Sequence, residues 1–121
     1  MAKQNKKVLI VDDDAINRKL LSVTLKKIGF EVLEAENGVD ALSKLSPDVS
    51  LILLDLKMPV MNGIQFMQAL KTEKPECLSI PIIVLTTDDS KKEEAKLAGA
   101  KEVIIKPISP IELPDRISNY L

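Results

Sequence analysis

Short apolar segments alternate along the chain with segments of helical periodicity, and this alternation is the strongest constraint on the fold. The five apolar segments are VLIV (8–11), EVLEA (31–35), SLILLDL (50–56), PIIVLTT (81–87) and EVIIKP (102–107). The first, third and fourth lack polar alternation, which is typical of parallel strands covered on both faces. Because strands joined through helices form right-handed crossovers, the sequence predicts a doubly wound α/β domain with five parallel strands and five helices.

Helix ends are marked by residues with known positional preferences. Gly29 is expected just beyond the C-terminus of the first helix. In the fifth helix, Ser109 and Glu112 predict a capping box around Pro110. Pro114 follows about one turn later, where a missing backbone donor predicts a kink.

The size and charge of the chain fit one domain in a reducing compartment. With 121 residues, 45% of them hydrophobic, we expect a single domain over 1–121, with its core from about residue 6 and a polar tail at 1–5. Seventeen basic residues oppose eighteen acidic ones, which predicts no nucleic-acid or membrane partner. The polar tail runs straight into the strand at 8–11 and lacks the apolar core of a signal peptide, so we expect a cytoplasmic protein.

The histidine and cysteine content limits the chemistry. The chain has no histidine and one cysteine, Cys77, which excludes a disulfide framework, a Cys/His zinc site and a histidine-dependent triad. Cys77 lies in a predicted polar connection at 71–81 and is assigned no role. Met58, Met61 and Met67 are expected to pack. Carboxylates, hydroxyls and lysines must therefore carry any chemistry.

Ligands of doubly wound domains bind beyond the carboxyl ends of the strands. The polar residues predicted at that edge are Asp12, Asp13, Asp14, Asp55, Thr86, Thr87 and Lys106. No glycine-rich phosphate-binding motif follows the first strand, and its carboxylates would repel a bare phosphate. Carboxylates from two strands instead suit Mg²⁺, for which Mn²⁺ is an acceptable substitute.

A bound cation would let a phosphoryl donor approach the carboxylates. Asp55 ends the most apolar strand and is the best candidate nucleophile, because a carboxylate can form an aspartyl phosphate. The Lys106 ammonium and the Thr86 hydroxyl would stabilise the charge on the transferring group. The sequence thus predicts phosphoryl acceptance on Asp55.

Each acidic residue also has a simpler structural explanation. Asp14, before the first helix, is best explained as its N-cap. Asp12 and Asp13 could form a solvated turn, since acids are favourable near a helix N-terminus. A functional site is favoured only because Asp12 and Asp13 are predicted to lie beside the polar residues at three further strand ends, namely Asp55, Thr86 and Lys106.

These motifs resemble the receiver domain of two-component response regulators, including the single-domain chemotaxis regulators, over the whole chain. The matching segments are LIVDDD, LILLDLKMPVMNG, VLTT and AGAKEVIIKP, in that order. The resemblance implies a flavodoxin-like (βα)5 fold with strand order 2-1-3-4-5. It also implies a signalling protein whose only catalysis is its own phosphorylation and dephosphorylation. Its partners would be a histidine kinase or histidine phosphotransfer protein and a downstream protein that binds the face of helix 4, strand 5 and helix 5.

The resemblance assigns roles to individual residues. The implied Mg²⁺ ligands are the carboxylates of Asp12, Asp13 and Asp55 and the backbone carbonyl of Lys57. Asp55 is also the implied phosphorylation site. Thr86 would bind a phosphoryl oxygen and Lys106 would pair with it, with a cis Lys106–Pro107 bond.

Three features depart from the usual receiver pattern. The switch position before the strand-five lysine usually holds an aromatic residue and here holds Val103. Thr87 replaces the usual small residue after the switch threonine and is expected to narrow access to the site. The two positions that tune the phosphorylation lifetime hold Lys57 and Asp88, which we expect to pair across the path of the hydrolytic water.

Two other functions fit parts of the pattern. A receiver fold could serve as a docking module that needs no phosphorylation, which Val103 and Thr87 leave open. A small aspartyl-phosphate phosphatase would also use an aspartate and Mg²⁺. That enzyme would need an Asp-x-Asp nucleophile followed by a small hydroxyl residue, which DDDAIN lacks, and a cap for which the chain has no room.

Overall fold

The computed structural model describes residues 6–121, and the predicted polar tail at 1–5 lies outside this part of the chain. The elements are β1 (Lys7–Val11), α1 (Ala15–Ile28), β2 (Glu31–Ala35), α2 (Gly38–Lys44), β3 (Leu51–Leu54), α3 (Gly63–Glu73), β4 (Ile82–Thr86), α4 (Lys92–Ala98), β5 (Glu102–Ile105) and α5 (Glu112–Ser118). Short 3-10 turns at Pro75–Cys77 and Asp89–Lys91 precede β4 and α4. Among the helices of residues 6–121, each is too short or too polar to cross a lipid bilayer.

The strands form one parallel sheet in the order β2-β1-β3-β4-β5, as predicted. Every residue of β3 and β4 is buried, and so is every residue of β1 after Lys7. The edge strands β2 and β5 are more exposed. The unbroken apolar character of the three central strands therefore reflects cover on both faces, as the sequence predicted.

Successive side chains of each central strand enter opposite cores, since strand side chains alternate between the two faces of a sheet. The core on one face contains residues of α2, α3 and α4, including Ala41, Leu42, Phe66, Met67 and Ala95. The core on the other face contains residues of α1 and α5, namely Leu21, Leu25, Leu113 and Ile117. The sheet is thus held rigidly between two layers of helices, which fixes the positions of the strand ends.

The ends of α1 follow the predicted capping pattern. The Asp14 side chain accepts hydrogen bonds from the backbone N–H groups of Ile16, at 3.0 Å, and Asn17, at 3.3 Å. Gly29 ends the helix in the left-handed region, at φ +111°. The prediction that Asp14 is the N-cap is confirmed.

The start of α5 differs from the prediction, and the expected capping box is wrong. The Ser109 hydroxyl oxygen accepts from the N–H of Ile111 at 3.0 Å, and the helix begins only at Glu112. Pro114 is consequently the third helical residue, in the first turn, where backbone N–H groups have no partner within the helix. The position of Pro114 in the first turn removes the reason for the predicted kink, since no helical hydrogen bond is lost there.

The segment at 71–81 is more ordered than a polar connection. It contains the end of α3 and a 3-10 turn, and Cys77 is fully buried in the core beside α3. Cys77 is therefore a core residue rather than an incidental one. Met67 is buried in the same core, and Met58 and Met61 pack against it, which confirms the expected packing role.

The connection between β3 and α3 contains a strained residue. Val60 has a φ of +69°, in the left-handed region. The N–H of Met61 donates to the carbonyl of Pro59 at 2.7 Å, which closes a three-residue γ-turn around Val60. The Val60 side chain is 79% exposed, so packing on it compensates little. A β-branched residue in this conformation costs about 1–3 kcal/mol.

We predict that Val60→Gly raises the free energy of unfolding by about 1 kcal/mol, because glycine adopts positive φ without steric cost while losing somewhat more entropy on folding. Urea titration followed by far-UV circular dichroism measures the change. Val39→Gly is the matched control, since Val39 is also exposed but lies within α2. Glycine there should lower the free energy of unfolding by about 0.5 kcal/mol, because valine is already a weaker helix former than alanine. A drop in both variants would contradict the assignment of strain to Val60.

Candidate functional site

The carboxyl ends of the strands bring the predicted site residues to one edge of the sheet. Asp12 directly follows β1 and Asp55 directly follows β3, and the register pairs Val11 with Leu54 immediately before them. The N–H of Asp12 donates to the carbonyl of Ala35 at 3.0 Å, and the N–H of Asp55 donates to the carbonyl of Val11 at 2.9 Å. Parallel pairing therefore continues through both aspartates and fixes their backbones side by side.

Three carboxylates converge at this edge. Asp12, Asp13 and Asp55 each contribute one oxygen, and these three oxygens lie within 4.8 Å of one another. Asp12 is buried, Asp13 is exposed and Asp55 is half-buried. The structure thus brings together the three carboxylates that the sequence predicted as a cation site.

The Asp12 carboxylate is held by three donors. One oxygen accepts from the N–H of Asp14 at 3.0 Å. The other accepts from the Asn17 side-chain amide at 2.7 Å and from Lys106 Nζ at 3.3 Å. Burial of a carboxylate is costly unless its oxygens accept hydrogen bonds, and these three donors supply them.

The first turn of α1 also holds the backbone of Asp12. Arg18 Nη1 donates to the Asp12 carbonyl at 2.5 Å, and Arg18 Nε donates to Glu34 on β2 at 3.1 Å. Neither Arg18 nor Asn17 was predicted as a site residue. Their signal in the sequence is their place in the first turn, because helical side chains point back toward the helix N-terminus.

Lys106 connects the two aspartates that follow the strands. Its Nζ lies 3.3 Å from an Asp12 oxygen and 3.5 Å from an Asp55 oxygen, with 17% of the side chain exposed. The backbone N–H of Lys106 donates to the carbonyl of Thr86 at 2.8 Å, so a hydrogen bond joins the ends of β4 and β5. The Lys106–Pro107 bond is cis, as expected.

The charge at this edge fits a divalent cation. Burial raises the pKa of Asp55 above its ordinary value; the Lys106 ammonium opposes that rise, and the Asp12 carboxylate adds to it. Three carboxylates therefore face one ammonium among the described residues of the site. Hard oxygen donors with an excess of negative charge are the ligands that Mg²⁺ prefers in proteins. The donor set fits the predicted metal.

Thr86, the last residue of β4, is 1% exposed. Its hydroxyl oxygen accepts from the N–H of Asp88 at 3.2 Å, which leaves its own proton available to another acceptor. A cavity of about 470 Å³ beside the cluster is lined in part by Thr86, Lys57 and Asp88. An open space thus adjoins the hydroxyl predicted to bind a phosphoryl oxygen.

A family model for the response regulator receiver domain matches residues 8–118. This chain belongs to the response regulator receiver family. The chemotaxis protein CheY1 of Helicobacter pylori is 37% identical over 120 residues, which cover 95% of this chain and 96% of that protein. The chemotaxis response regulator CheY4 of Vibrio cholerae is 35% identical with a TM-score of 0.89, over 98% of this chain and 100% of that one.

A third relative was crystallised with a metal. The response regulator protein TrrA of Thermotoga maritima, solved in complex with Mg²⁺-BeF, is 29% identical to this chain, with a TM-score of 0.82. The match covers 96% of this chain and 99% of that one. Together with the strand order, these structural neighbours confirm the flavodoxin-like fold that the resemblance implied.

Two departures from the usual receiver pattern now have a structural setting. Val103 lies on β5 opposite Val84 and is buried in the core shared with α2, α3 and α4. Because this position holds a buried valine, the protein lacks the aromatic side chain that usually moves between buried and exposed states there. Thr87 is exposed and lines a second cavity beside Lys106, separate from the one that Thr86 lines.

The expected pairing of Lys57 with Asp88 is wrong. Both side chains line the first cavity, but no ion pair joins them in the part of the chain that the structure describes. The Asp88 carboxylate instead accepts from the N–H of Ser90 at 3.0 Å and from its hydroxyl at 2.5 Å. These bonds, with a smaller contribution from Lys57, hold the pKa of Asp88 below its ordinary value.

Gly63, the first residue of α3, allows the helix to lie against the backbone of Asp55 and Leu56. A Cβ atom at Gly63 would lie 2.6 Å from the Asp55 carbonyl oxygen and 2.9 Å from Leu56 Cα. The N–H of Gly63 donates to the carbonyl of Leu56 at 3.0 Å. Gly63 stands in the quoted motif but was given no role, since close approach of two backbones is not readable from spacing alone.

We predict that Asp55→Asn raises the free energy of unfolding of the metal-free protein by about 1 kcal/mol at pH 7, because it removes a half-buried negative charge from a like-charged cluster. Since the pKa of Asp55 is raised in the folded state, its ionisation opposes folding as the pH rises, so the gain should shrink as the pH falls toward 3.8. Urea titrations in EDTA measure the gain.

Asp48→Asn is the control for that measurement. The exposed Asp48 carboxylate accepts from Lys7 Nζ at 2.6 Å, which lowers its pKa. Removal of its charge should therefore lower stability slightly at pH 7. An equal effect of the same sign in both variants would contradict the prediction for Asp55.

Proposed function

We propose that this protein is the phosphoacceptor of a two-component phosphorelay. Asp55 takes a phosphoryl group from a phosphohistidine on a histidine kinase or histidine phosphotransfer protein, in a Mg²⁺-dependent reaction, and phosphorylation changes the binding of a downstream protein. The observation that carries the proposal is the cluster of Asp12, Asp13 and Asp55 with Lys106 Nζ between two of them.

The transfer is a nucleophilic displacement at phosphorus. An Asp55 carboxylate oxygen forms a bond to phosphorus while the phosphorus–nitrogen bond of the donor breaks, and the electron pair returns to the imidazole nitrogen, which takes a proton from water. The Lys106 ammonium would pair with the phosphoryl oxygens as they approach the carboxylate, and the Thr86 hydroxyl would donate a hydrogen bond to one of them. None of the 121 residues is histidine, so the donor histidine lies outside this sequence.

The residues that would hold Mg²⁺ are the carboxylates of Asp12, Asp13 and Asp55 and the backbone carbonyl of Lys57. When bound, the cation supplies positive charge that lets an anionic donor approach three carboxylates. The similarity to TrrA, which was solved with Mg²⁺-BeF, supports this assignment. Asn17 and Arg18 would keep Asp12 in place whether or not the cation is bound.

The output surface we propose is the face of α4, β5 and α5. Exposed apolar side chains occur in each part of it: Leu97 on α4, Ile105 on β5 and Ile111 before α5, with 85%, 38% and 85% exposed. A phosphoryl group on Asp55 adds about two negative charges and favours loop arrangements that bring Thr86 and Lys106 closer to it. These two residues are continuous in the chain with α4 and with the segment before α5.

The proposal predicts one added phosphoryl group per chain when the protein is incubated with a small phosphodonor and Mg²⁺. The adduct should be absent in EDTA and in Asp55→Asn, because the first lacks the cation and the second lacks the nucleophile. Intact-mass spectrometry detects the adduct. Asp48→Asn, which removes a surface carboxylate on the chain, is the control and should be phosphorylated normally.

Other outcomes would identify the two alternative functions. A folded protein that binds Mg²⁺ but gains no phosphoryl group would favour a docking module that works without phosphorylation. Sustained release of phosphate from phosphomonoesters would favour a phosphatase. An adduct that persists in Asp55→Asn would show that another residue is the acceptor.

We further propose that Lys57 and Asp88 set the lifetime of phosphorylated Asp55 by limiting water access to the cavity they line with Thr86. Truncation of either side chain should speed dephosphorylation by about threefold, equivalent to about 0.65 kcal/mol on the barrier. Loss of the adduct after removal of the donor measures the rate.

Lys71→Ala and Asp89→Ala are matched controls, because both residues are exposed and neither lines the cavity. Decay in the two controls should equal that of the unmodified sequence. Unchanged decay in both Lys57→Ala and Asp88→Ala would remove the basis for a role in lifetime.

A further inference from the structure

We infer that Gly38 and Met61 form a clamp through which the first turn of α2 positions the loop that carries Asp55. The inference rests on the proposed phosphorylation of Asp55 and adds two positioning residues that lie outside the charged cluster. The term α2 clamp denotes this pair. Its two members belong to different elements, α2 and the connection between β3 and α3.

The α2 clamp combines a hydrogen bond with a close side-chain contact. The N–H of Gly38 donates to the carbonyl of Met61 at 3.1 Å. A Cβ atom at Gly38 would lie 2.6 Å from Met61 Cγ and 2.7 Å from Met61 Sδ. Gly38 is not among the glycines with positive φ, so the nearby Met61 side chain, and not the backbone conformation, is what disfavours a Cβ atom there.

The clamp holds the tip of a loop whose two ends are already fixed. At its base, the N–H of Gly63 donates to the carbonyl of Leu56 at 3.0 Å. At its tip, Met61 follows the strained Val60 and packs partly against the core. A strained conformation persists only where surrounding contacts over-determine it. The contact of Gly38 with Met61 helps to hold this conformation, and it is made by a residue outside the loop.

The loop conformation bears directly on the acceptor. The N–H of Lys57 points to an Asp55 carboxylate oxygen at 3.4 Å, so a shift of the loop moves a donor of that carboxylate. The same segment carries the Lys57 carbonyl. Displacement of a reacting group by about 1 Å can slow a reaction by about 100-fold. A contact between α2 and Met61 can therefore affect the chemistry at Asp55 without touching it.

A purely helical role for Gly38 makes the opposite prediction. Alanine is a better helix former than glycine, so Gly38→Ala should stabilise α2 and leave the loop unchanged if the clamp has no function. With the clamp, the new methyl group displaces Met61. The displacement disappears when Met61 is truncated, because the space it occupied becomes free.

The test is a double-mutant cycle of the full chain with Gly38→Ala, Met61→Ala and the double variant. The first readout needs no phosphorylation: the ¹H–¹⁵N resonances and hydrogen exchange of the Asp55, Leu56 and Lys57 amides. The second is the rate of phosphoryl gain from a small donor. We expect Gly38→Ala to shift these amides and to slow the gain by about tenfold. In the Met61→Ala background, the same change should alter the rate by less than about twofold.

Each outcome decides the inference. Equal effects of Gly38→Ala with and without the Met61 side chain would overturn it, as would a more stable Gly38→Ala protein with unchanged amides and rate. If the unmodified protein gains no phosphoryl group, the proposed function fails while the amide readout still tests the clamp. If Gly38→Ala does not fold, rescue of folding in the double variant supports the contact, and Met61→Ala alone shows whether the loop amides depend on it.

Discussion

The contact of one ammonium with two aspartates holds the site together. Lys106 Nζ lies between Asp12 and Asp55, and Asp13 adds a third negative charge within reach of both. Removal of Lys106 would leave three like charges together at this edge, and it would take away the cation that opposes the rise in the pKa of Asp55. Three carboxylates and one ammonium leave an excess of negative charge at this edge, which a divalent cation would neutralise.

That contact depends on the register of the sheet rather than on the side chains alone. Asp12 and Asp55 continue the pairing of β1 with β3, and the Lys106 N–H donates to the carbonyl of Thr86 across β4 and β5. Strands buried on both faces cannot slip by one residue without turning apolar side chains to the wrong core. The two cores above and below the sheet thus set the geometry of a polar site that neither contains.

The sequence predicted those parts of the structure that follow from strong local patterns. Strand positions, the cap at Asp14 and the convergence at strand ends follow from apolar periodicity and parallel topology. The errors concern competition between nearby partners: Ser109 bonds the N–H of Ile111 instead of forming a box, and Asp88 bonds Ser90 instead of Lys57. Spacing shows which partners are within reach, but the backbone conformation decides between them. To predict the hydrogen bond from Arg18 to the Asp12 carbonyl, one must also know in which direction the side chains of α1 point.

The loops on the two sides of Asp55 differ in how firmly they are held, which decides where the phosphoryl group proposed for Asp55 would cause movement. The β3–α3 connection is closed by a capping box at Asn62 and by the α2 clamp. Across the site, α4 starts at Lys92 without a side-chain cap and buries only Ala95. Local opening requires least free energy where few apolar contacts and caps oppose it. The proposed phosphorylation of Asp55 would therefore rearrange the α4 side, where Leu97 is exposed, while the β3–α3 connection stays fixed.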